Sequence, residues 1–336
     1  MNKTDLKSAV VLLNLGGPDS LDAVEPFLYN LFNDPDIIPI PLGFLLQKPL
    51  AQFISRRRAP GVRKRYEMIG GKSPINEWTK KQAEALEQAL QSFGNYKVFV
   101  GMRYWHPLIE EVVKQIAQSH FDRVILLPLY PHYSLSTSVS SFHEWERVSR
   151  KHAVHHLNVR YIYGYADWQP YIDALEERIK EGLNQFPEQE KNNVHFLFSC
   201  HGIPKSMIKK GDPYVSQILT TINRVMLKFY TVPYDISYQS KVGKIPWLEP
   251  STIEKVEELG SSGVKSILVI PLSFVSDHIE TLEELNIYIR EVAQKSGIIN
   301  FIVMPALNDS PTFIRALAKL IQEEVLLWNQ LTLTNH

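Results

Sequence analysis

The segment VILLPLY (residues 124–130) decides the fold, because ILVIPLS (267–273) repeats its pattern in the second half of the chain. Short apolar runs of this kind are typical of strands that are buried on both faces of a parallel sheet. Two further pairs of segments follow in the same order: LNLGGP (13–18) matches SCHGIP (199–204), and ADWQPYIDALEERI (166–179) matches LNDSPTFIRALAKLI (307–321). The chain therefore contains an internal duplication.

Eight buried strands are predicted, four in each half, with helical patterns between them. The strands cover 9–15, 96–102, 122–129 and 158–164 in the first half, and 193–200, 234–240, 264–272 and 300–307 in the second. Alternation of strands and helices is typical of βαβ units. We predict an α/β fold of two similar Rossmann-like domains, each with a four-stranded parallel sheet flanked by helices.

The expected boundaries follow from this alternation. We place an N-terminal domain at 1–157, a C-terminal domain at 158–309 and a C-terminal helix at 310–336 that can pack back on the N-terminal domain.

The first half also carries an insertion at about 33–78. It begins with the apolar, proline-broken segment IIPIPLGFLLQKPLAQFI (37–54), and three arginines (56–58) follow. Proline removes a backbone donor and breaks helices and strands, so neither element is favoured there. We predict an exposed apolar lip (residues 37–54) suited to an amphiphilic anionic ligand or a membrane surface. A helical hairpin packed on its own domain is the alternative.

Composition excludes several classes of function. Lysine plus arginine and aspartate plus glutamate number 36 each, so no overall field attracts nucleic acid. Cys200 is the single cysteine, which excludes an internal disulfide and a cysteine-rich metal site. The sequence has no nucleotide-binding glycine motif, secretory signal or apolar run of about 18 residues, so we expect a cytoplasmic protein without a membrane-spanning helix.

Candidate reacting groups follow two strands of the second half. Ligands in doubly wound sheets bind beyond the carboxyl ends of the strands. His201 follows one such strand, and Glu280 follows another. A histidine in this position is commonly structural, and acids at a helix start often serve only to favour the helix dipole. Because the duplicated order places both strand ends at one edge of one sheet, we expect the two side chains to lie close together.

The residues around Glu280 extend this candidate site. Glu284 lies four residues further on, which would put both carboxylates on one face of an α-helix, with Ser276 or Asp277 as N-cap. With His278, the segment offers carboxylates and imidazoles but no thiolates. Such a set suits Fe²⁺ or another divalent metal bound in passing, and is too small for a closed zinc site.

Planar and anionic ligands have candidate contacts in other parts of the sequence. The loop YPHYSLSTSVSSF (130–142) is rich in hydroxyls, and nearby arginines could bind carboxylates through bidentate hydrogen bonds. Trp247 offers a flat face, although a core role is common for tryptophan.

Seven segments in one order resemble the ferrochelatase family, which inserts ferrous iron into a porphyrin. They are LNLGGPDSLDAVEPFL, YEMIGGKSPI, GMRYWHP, LYPHYSLST, SCHGIPKSMIKKGDPY, YQSKVGKIPWLEPST and FVSDHIETLEEL, which together span nearly the whole chain. The resemblance implies a chelatase-like fold of two Rossmann-like halves. It also implies that His201 and Glu280 face each other across the macrocycle as catalytic and metal-binding residues.

The resemblance implies further roles. His201 would accept the pyrrole protons and Glu280 would deliver Fe²⁺, although the opposite assignment stays open. Asp277, His278 and Glu284 would fix Glu280 or extend a path for the metal. The expected porphyrin-binding residues are Leu15, Arg57, Arg58, Ser73, Arg103, Tyr104, Tyr130, Ser134, Ser136 and Trp247.

The implied activity is insertion of Fe²⁺ into protoporphyrin IX to give protohaem, the last step of haem biosynthesis, with release of two protons. Coproporphyrin III as substrate, or a non-catalytic tetrapyrrole-binding protein, is the alternative. Leu15 stands where coproporphyrin-using relatives have a tyrosine, which favours protoporphyrin. Membrane contact through the lip, a monomer or homodimer and a location on the inner face of the cell membrane complete the expectation.

Two departures from the family pattern are visible. Members with a 2Fe–2S cluster have a cysteine in the loop where this chain has Leu135, so we expect no cluster, with Fe²⁺ as substrate and no prosthetic group. The family's line of acids usually continues to a position that here holds Tyr288, so the metal path could be shorter.

Overall fold

The computed structural model describes residues 6–38, 43–241, 243 and 245–334. The chain forms two compact units. The first contains the described residues up to Tyr130, Ser134–Gly164, and those from Asn308 onward; the second contains Pro131–Tyr133 and Tyr165–Leu307.

Each unit has one four-stranded parallel sheet, and the two sheets have the same strand order. The first sheet, in the order β2-β1-β3-β4, consists of β1 (Ser8–Asn14), β2 (Tyr96–Met102), β3 (Arg123–Pro128) and β4 (Asn158–Tyr161). The second, in the order β6-β5-β7-β8, consists of β5 (His195–His201), β6 (Tyr234–Gln239), β7 (Ser266–Pro271) and β8 (Asn300–Val303). The predicted fold class is confirmed.

Helices cover these sheets. In the first unit they are α1 (Val24–Phe32), α2 (Gly43–Glu67), α3 (Ile75–Leu90), α4 (Ile109–Ala117), α5 (Ser140–Lys151) and α11 (Pro311–Thr334). In the second they are α6 (Gln169–Leu183), α7 (Lys205–Lys209), α8 (Tyr214–Met226), α9 (Thr252–Ser261) and α10 (Arg290–Lys295), with a short 3₁₀ turn at Glu188–Asn193. The central strands β1, β3 and β7 are buried along their whole length, which explains their unbroken apolar sequence.

The boundary between the two domains was predicted between residues 157 and 158, directly before β4. Strand β4 pairs with β3 in the first sheet, and the first unit extends to Gly164. The C-terminal helix α11 also belongs to the first unit.

The register of the two sheets defines equivalent positions. Leu13 pairs with Pro128 in the first sheet, and Ser199 pairs with Pro271 in the second. Two residues further along, Leu15 of the first unit therefore corresponds to His201 of the second. By the same ladders, Arg103, which follows β2, corresponds to Gln239 at the end of β6.

The expectation that no helix forms in the lip was wrong for its described residues, because α2 begins at Gly43 and runs through Pro49 and Pro60. Residues 39–42 of the lip lie outside the described residues. One side of α2 is buried through Ala51, Ser55 and Ala59, so packing offsets what the prolines remove. The opposite side is exposed, and the apolar residues on it are Leu45, Leu46, Leu50 and Phe53. The segment thus combines the packed helix of the alternative with the predicted exposed apolar surface.

A π-helix follows the third strand of each sheet, and we label these helices π1 (Leu135–Val139) and π2 (Glu280–Ile289). Each continues directly into an α-helix, α5 or α10. π-Helical turns are rare in proteins, and those that occur are frequently found at functional sites. The α-helical spacing predicted for the segment after Glu280 is therefore corrected to π geometry. The residue at the N-cap of π2 is Ile279, which makes no side-chain cap hydrogen bond, rather than Ser276 or Asp277.

Candidate active site

His201 is the last residue of β5, and hydrogen bonds hold its backbone on both sides. Its N–H donates to Ser273 Oγ at 2.7 Å, and its carbonyl accepts from the Tyr214 hydroxyl at 2.9 Å. Ser273 Oγ and the Tyr214 hydroxyl are 2.6 Å apart, which closes the network. Sequence reasoning missed both residues, because their contacts arise only from the arrangement of β7 and α8 beside β5. The imidazole therefore leaves the sheet edge in a fixed direction.

Glu280, the first residue of π2, lies directly beside this imidazole. His201 Nδ1 is 2.9 Å from Glu280 Oε2. Because this is direct contact, the expectation that the two side chains face each other across a macrocycle was wrong. Gln239 Nε2 donates to the same Glu280 oxygen at 3.1 Å. The His201 side chain keeps 32% of its surface exposed and the Glu280 side chain 16%. The pair is thus held by the protein and still reaches solvent.

The two groups shift each other's protonation. Burial lowers the pKa of His201, but the Glu280 carboxylate more than offsets this, so the pKa lies above its usual 6.5. Burial raises the pKa of Glu280, but His201 and then His278 outweigh it, so that pKa lies well below 4.5. The pair therefore favours an imidazolium beside a carboxylate, with a proton on His201 Nδ1.

Asp277 and His278 brace the start of π2. His278 Nδ1 donates to the Ser276 carbonyl at 3.0 Å, and His278 Nε2 lies 3.6 Å from Glu280 Oε2. The His278 ring also lies against the Phe274 ring, with 4.3 Å between centroids. Asp277 Oδ1 accepts from the Thr281 hydroxyl at 2.9 Å. These contacts fix the backbone from which Glu280 projects.

Glu284 lies further along π2 and is held by Ser240, the residue after β6. The Ser240 backbone N–H donates to Glu284 Oε1 and its hydroxyl donates to Oε2, both at 2.8 Å. Ser240 has φ of +67°, a conformation that is unfavourable for residues other than glycine. The carboxylate thus rests in a two-donor clamp.

The metal chemistry of this site is limited by its donors. Among the residues that the structure describes, no group of three or more His, Cys, Asp or Glu side chains could hold a metal ion. The His201–Glu280 pair offers one nitrogen and one carboxylate. Such a site can exchange protons and bind a cation transiently.

The predicted residues of the first unit form a different cluster. Arg103 Nη2 bonds Asp34 Oδ2 at 2.9 Å, and Arg103 Nε donates to Ser140 Oγ at 2.8 Å. The Tyr104 hydroxyl donates to the same Asp34 oxygen at 2.6 Å. Asp34 and Ser140 were not identified from the sequence, where an aspartate in a loop carries no signal. Arg103 is committed to a buried carboxylate, and the Tyr104 ring is buried.

The remaining predicted residues differ in exposure. Ser73, Tyr130 and Ser134 are buried, Leu15, Arg58, Ser136 and Trp247 are half-buried, and Arg57 is exposed. Ser134 accepts a hydrogen bond from the Ser136 backbone N–H at 3.3 Å, so these two are brought together at the start of π1.

Trp247 lies over the turn after His201. A Cβ atom added to Gly202 would lie 3.5 Å from Trp247 Cε3 and only 2.8 Å from the Gln239 carbonyl, so glycine allows this close approach.

Comparisons with known proteins point in one direction. A family model described as Ferrochelatase matches residues 7–325. A ferrochelatase of Aquifex aeolicus is 48% identical over 320 residues, covering 95% of this chain and 100% of the relative. A ferrochelatase of Geotalea daltonii is 48% identical over 316 residues, covering 94% and 97%.

Among solved structures, SirB from Bacillus subtilis with Fe³⁺ superposes with a TM-score of 0.56 at 14% identity, covering 95% of this chain and 96% of that one. At this identity the likeness shows the fold alone.

Proposed function

The chain belongs to the ferrochelatase family, and from that premise we propose which of its residues perform the reaction. The protein is a metal-chelating lyase that inserts ferrous iron into a porphyrin in haem biosynthesis. The porphyrin loses two pyrrole protons as Fe²⁺ enters. The site must therefore accept protons and present a cation.

The observation that carries the proposal is the 2.9 Å contact between His201 Nδ1 and Glu280 Oε2 at the carboxyl end of β5. When His201 is neutral, this contact keeps its proton on Nδ1 and leaves the Nε2 lone pair as the proton acceptor. Glu280 then stabilises the imidazolium that forms after proton transfer. Each proton passes from a pyrrole nitrogen to His201 Nε2 and from there to solvent.

Glu280 has a second role in this proposal, which is to present Fe²⁺. Its Oε2 is occupied by His201 and Gln239, whereas its Oε1 accepts no hydrogen bond from the described residues. A carboxylate oxygen of this kind can replace a water of the hydrated ion. Glu284, behind it on π2, would hold the ion before transfer, and Asp277 and His278 would keep Glu280 in place.

The opposite assignment makes His201 the metal ligand and Glu280 the proton acceptor. The low pKa of Glu280 argues against it, since a carboxylate with a pKa well below 4.5 accepts a proton poorly. A crystal soaked with Zn²⁺ separates the two, because the ion would lie on Glu280 Oε1 under our assignment and on His201 Nε2 under the other.

The activity is tested by anaerobic incubation with protoporphyrin IX and Fe²⁺, with the Soret band as readout. We expect the band of the free base to be replaced by that of the metalloporphyrin. Porphyrin binding without metal insertion would contradict the proposal and favour a tetrapyrrole-binding protein.

We propose protoporphyrin IX rather than coproporphyrin III as the substrate. The apolar Leu15 at the end of β1 and the exposed apolar surface of α2 suit the substrate with fewer carboxylates and two vinyl groups. Of the ten porphyrin contacts predicted from the sequence, the partly or fully exposed side chains Leu15, Arg57, Arg58, Ser136 and Trp247 remain our proposed contacts, whereas Ser73, Tyr104, Tyr130 and Ser134 are buried and Arg103 is bound to Asp34. A higher kcat/KM for coproporphyrin III, measured in parallel, would reverse this choice.

Peripheral membrane contact through α2 is part of the proposal. Leu46, Phe53, Arg57 and Lys64 follow at spacings of seven, four and seven residues, which places them on one helix face, and all four are exposed. This face is apolar near the start of the helix and cationic further along it. In the described part of the chain, no helix is long and apolar enough to cross a bilayer. We infer that the apolar end enters the lipid surface while the cations meet anionic headgroups.

The charged variant Phe53→Glu tests this surface. Phe53 is 63% exposed, so we expect loss of co-sedimentation with anionic vesicles and a melting temperature close to that of the wild type. Leu326→Glu on α11, at a leucine that is 60% exposed, is the matched control and should leave vesicle binding unchanged. Equal loss in both variants, or a large fall in melting temperature for Phe53→Glu, would count against the proposal.

The remaining details follow from the same premise. We propose a cytoplasmic enzyme at the inner face of the cell membrane. We also propose that it acts as a monomer or homodimer, because the reacting pair lies within one unit of a single chain. We propose no iron–sulfur cluster, because the single cysteine of the sequence, Cys200, is buried and burial raises its thiol pKa.

A further inference from the structure

Gln239, which sequence analysis did not single out, contacts the reacting pair from the end of β6. It is 5% exposed, and its Nε2 donates to Glu280 Oε2 at 3.1 Å. Its Oε1 accepts from the Ser199 hydroxyl at 2.6 Å. Both ends of the amide are therefore engaged, one by the β5 strand and one by the carboxylate.

The hydrogen bonds behind Gln239 have a defined direction. The Ser237 hydroxyl donates to Thr252 Oγ1 at 3.1 Å, and Thr252 Oγ1 lies 3.1 Å from Ser199 Oγ. Because Ser199 uses its proton on Gln239, it accepts from Thr252. The carboxylate of Glu280 can only accept, so a flipped amide would place Gln239 Oε1 against Glu280 Oε2 and leave two acceptors face to face in a largely buried position. The NH₂ group is thereby aimed at Glu280.

A second donor matters because the final torsion of a glutamate side chain is soft and roughly two-fold. The bond from His201 alone would allow the carboxylate to rotate about the Nδ1···Oε2 line. A donor from a different strand on the same oxygen removes that freedom. We propose that Gln239 is a positioning residue for the chelation step, which holds Glu280 Oε2 so that Oε1 stays presented to the incoming Fe²⁺. This inference rests on the role of Glu280 proposed above.

The equivalent position of the first unit supports the assignment. Arg103 occupies it and also bonds a carboxylate, that of Asp34. In both units, then, the residue at this strand end orients an acid. The difference is charge, since Arg103 is a permanent cation beside Asp34, whereas the neutral Gln239 adds no positive charge beside Glu280.

The test compares Gln239→Met with the wild type in steady-state assays with protoporphyrin IX and Zn²⁺. Methionine has nearly the same length but no donor. We expect kcat to fall by about 10- to 100-fold, as for loss of a positioning contact, while the KM for porphyrin changes less than about twofold. Ser199→Ala should give a smaller fall, about 3- to 10-fold, since Gln239 then loses the hydrogen bond to its Oε1 while its NH₂ group can still donate to Glu280.

Gln82→Met is the matched control. Gln82 is also fully buried and its Nε2 donates to the Asn308 carbonyl at 2.8 Å, but it lies in the first unit. We expect Gln82→Met to lower the melting temperature at least as much as Gln239→Met and to keep wild-type kcat. A kcat for Gln239→Met within twofold of wild type would overturn the inference, as would a fall in kcat that Gln82→Met reproduces.

His201→Ala, assayed in parallel, separates this inference from the proposed function. If His201→Ala loses turnover and Gln239→Met does not, only the positioning role fails. If His201→Ala retains turnover, the proposed site itself is wrong, and with it the inference.

Discussion

Each unit has a carboxylate at the carboxyl end of its own parallel sheet, Asp34 in the first unit and Glu280 in the second, and the two units bind it in different ways. Asp34 is completely enclosed, and both of its oxygens accept hydrogen bonds: Oδ2 from Arg103 and Tyr104, and Oδ1 from the Asp36 backbone N–H. Among the residues that the structure describes, Glu280 finds donors for one oxygen only, and its side chain remains 16% exposed. The duplicated fold thus carries one carboxylate with hydrogen bonds to both oxygens, Asp34, and one with hydrogen bonds from the described residues to a single oxygen, Glu280.

Under the roles proposed for His201 and Glu280, the contrast identifies what distinguishes a reactive acid from a structural one. An arginine stays protonated at any relevant pH, so Arg103 remains a permanent cation beside Asp34 and cannot exchange a proton. A histidine can release its proton, and the protein raises its pKa without making it permanently cationic. The reactive unit therefore differs by a titratable partner and by one oxygen left open.

The largest expected effect comes from removing that titratable partner. His201→Ala should lower turnover about 10³-fold, since a positioned general base contributes about 10²- to 10⁴-fold. Porphyrin affinity, measured by fluorescence quenching, should change little. His195→Ala is the control, because His195 pairs with Asp235 at the other end of the same strand. Unchanged turnover in His201→Ala would remove the functional difference between the units.

The next largest effect is on stability and concerns Asp34, the carboxylate that is fully hydrogen-bonded. Arg103→Met leaves the buried Asp34 carboxylate without its cation, and breaking a buried pair in this way costs about 3–5 kcal/mol of unfolding free energy. Urea unfolding measures it. The pair of Arg147 and Glu144 provides the control, since the Arg147 side chain is 59% exposed and Arg147→Met should cost at most about 1 kcal/mol. Similar values for both variants would mean that the first cluster is not a structural device.

The smallest expected effect is a displacement of the pH dependence. His201 must be neutral to accept a proton, and Glu280 holds its pKa above 6.5, so the acid limb of kcat should lie above pH 6.5. In Glu280→Gln burial still lowers the pKa of His201 and the charge of Glu284 still raises it, but the raising effect of Glu280 is lost, so the limb of the residual activity should move to lower pH. A limb that stays in place would show that the pair is not coupled.

The pKa shifts of His201 and Glu280 also make the free energy of unfolding depend on pH, in a direction that can be predicted. His201 contributes stabilisation that is fully present below its unfolded pKa of about 6.5 and is lost as pH rises through its raised folded value. Glu280 contributes stabilisation that is present above about 4.5 and is lost as pH falls through its depressed value. The difference in unfolding free energy between wild type and Glu280→Gln should therefore be greatest between about pH 4.5 and 6.5.

Much of the fold could be predicted from the sequence, because buried parallel strands have a strong signature. The bounds of β2 were predicted correctly, and those of β1 and β3 to within one residue at each end. β4 and β8 were predicted too long, since the aromatic and apolar residues after Tyr161 and Val303 continue the pattern beyond the last ladder bonds. A helix in the α2 segment was predicted only as the alternative, because its stability comes from packing of Ala51 and Ala59, which local proline rules do not include.

The site could be predicted only in part. His201 and Glu280 follow strands whose ends had to meet, so their contact at 2.9 Å was accessible from the topology. Gln239, Tyr214 and Asp34 act through hydrogen bonds that depend on register and on side-chain direction. A glutamine at the end of a strand has no chemical signature in the sequence, and its role becomes visible only with its partners.

The π-helix that carries Glu280 also affects how this part of the chain would tolerate the deletion of one residue. Deleting one residue from an α-helix rotates everything beyond it by about 100°, which normally destroys the packing of that part. In π2, where each turn already holds more residues than an α turn, a deletion near the exposed Tyr288 can be absorbed as the helix rewinds to α geometry. Glu280 lies at the first turn, before any such change. The segment after β7 is thus a place where this chain could lose a residue and keep its reacting pair.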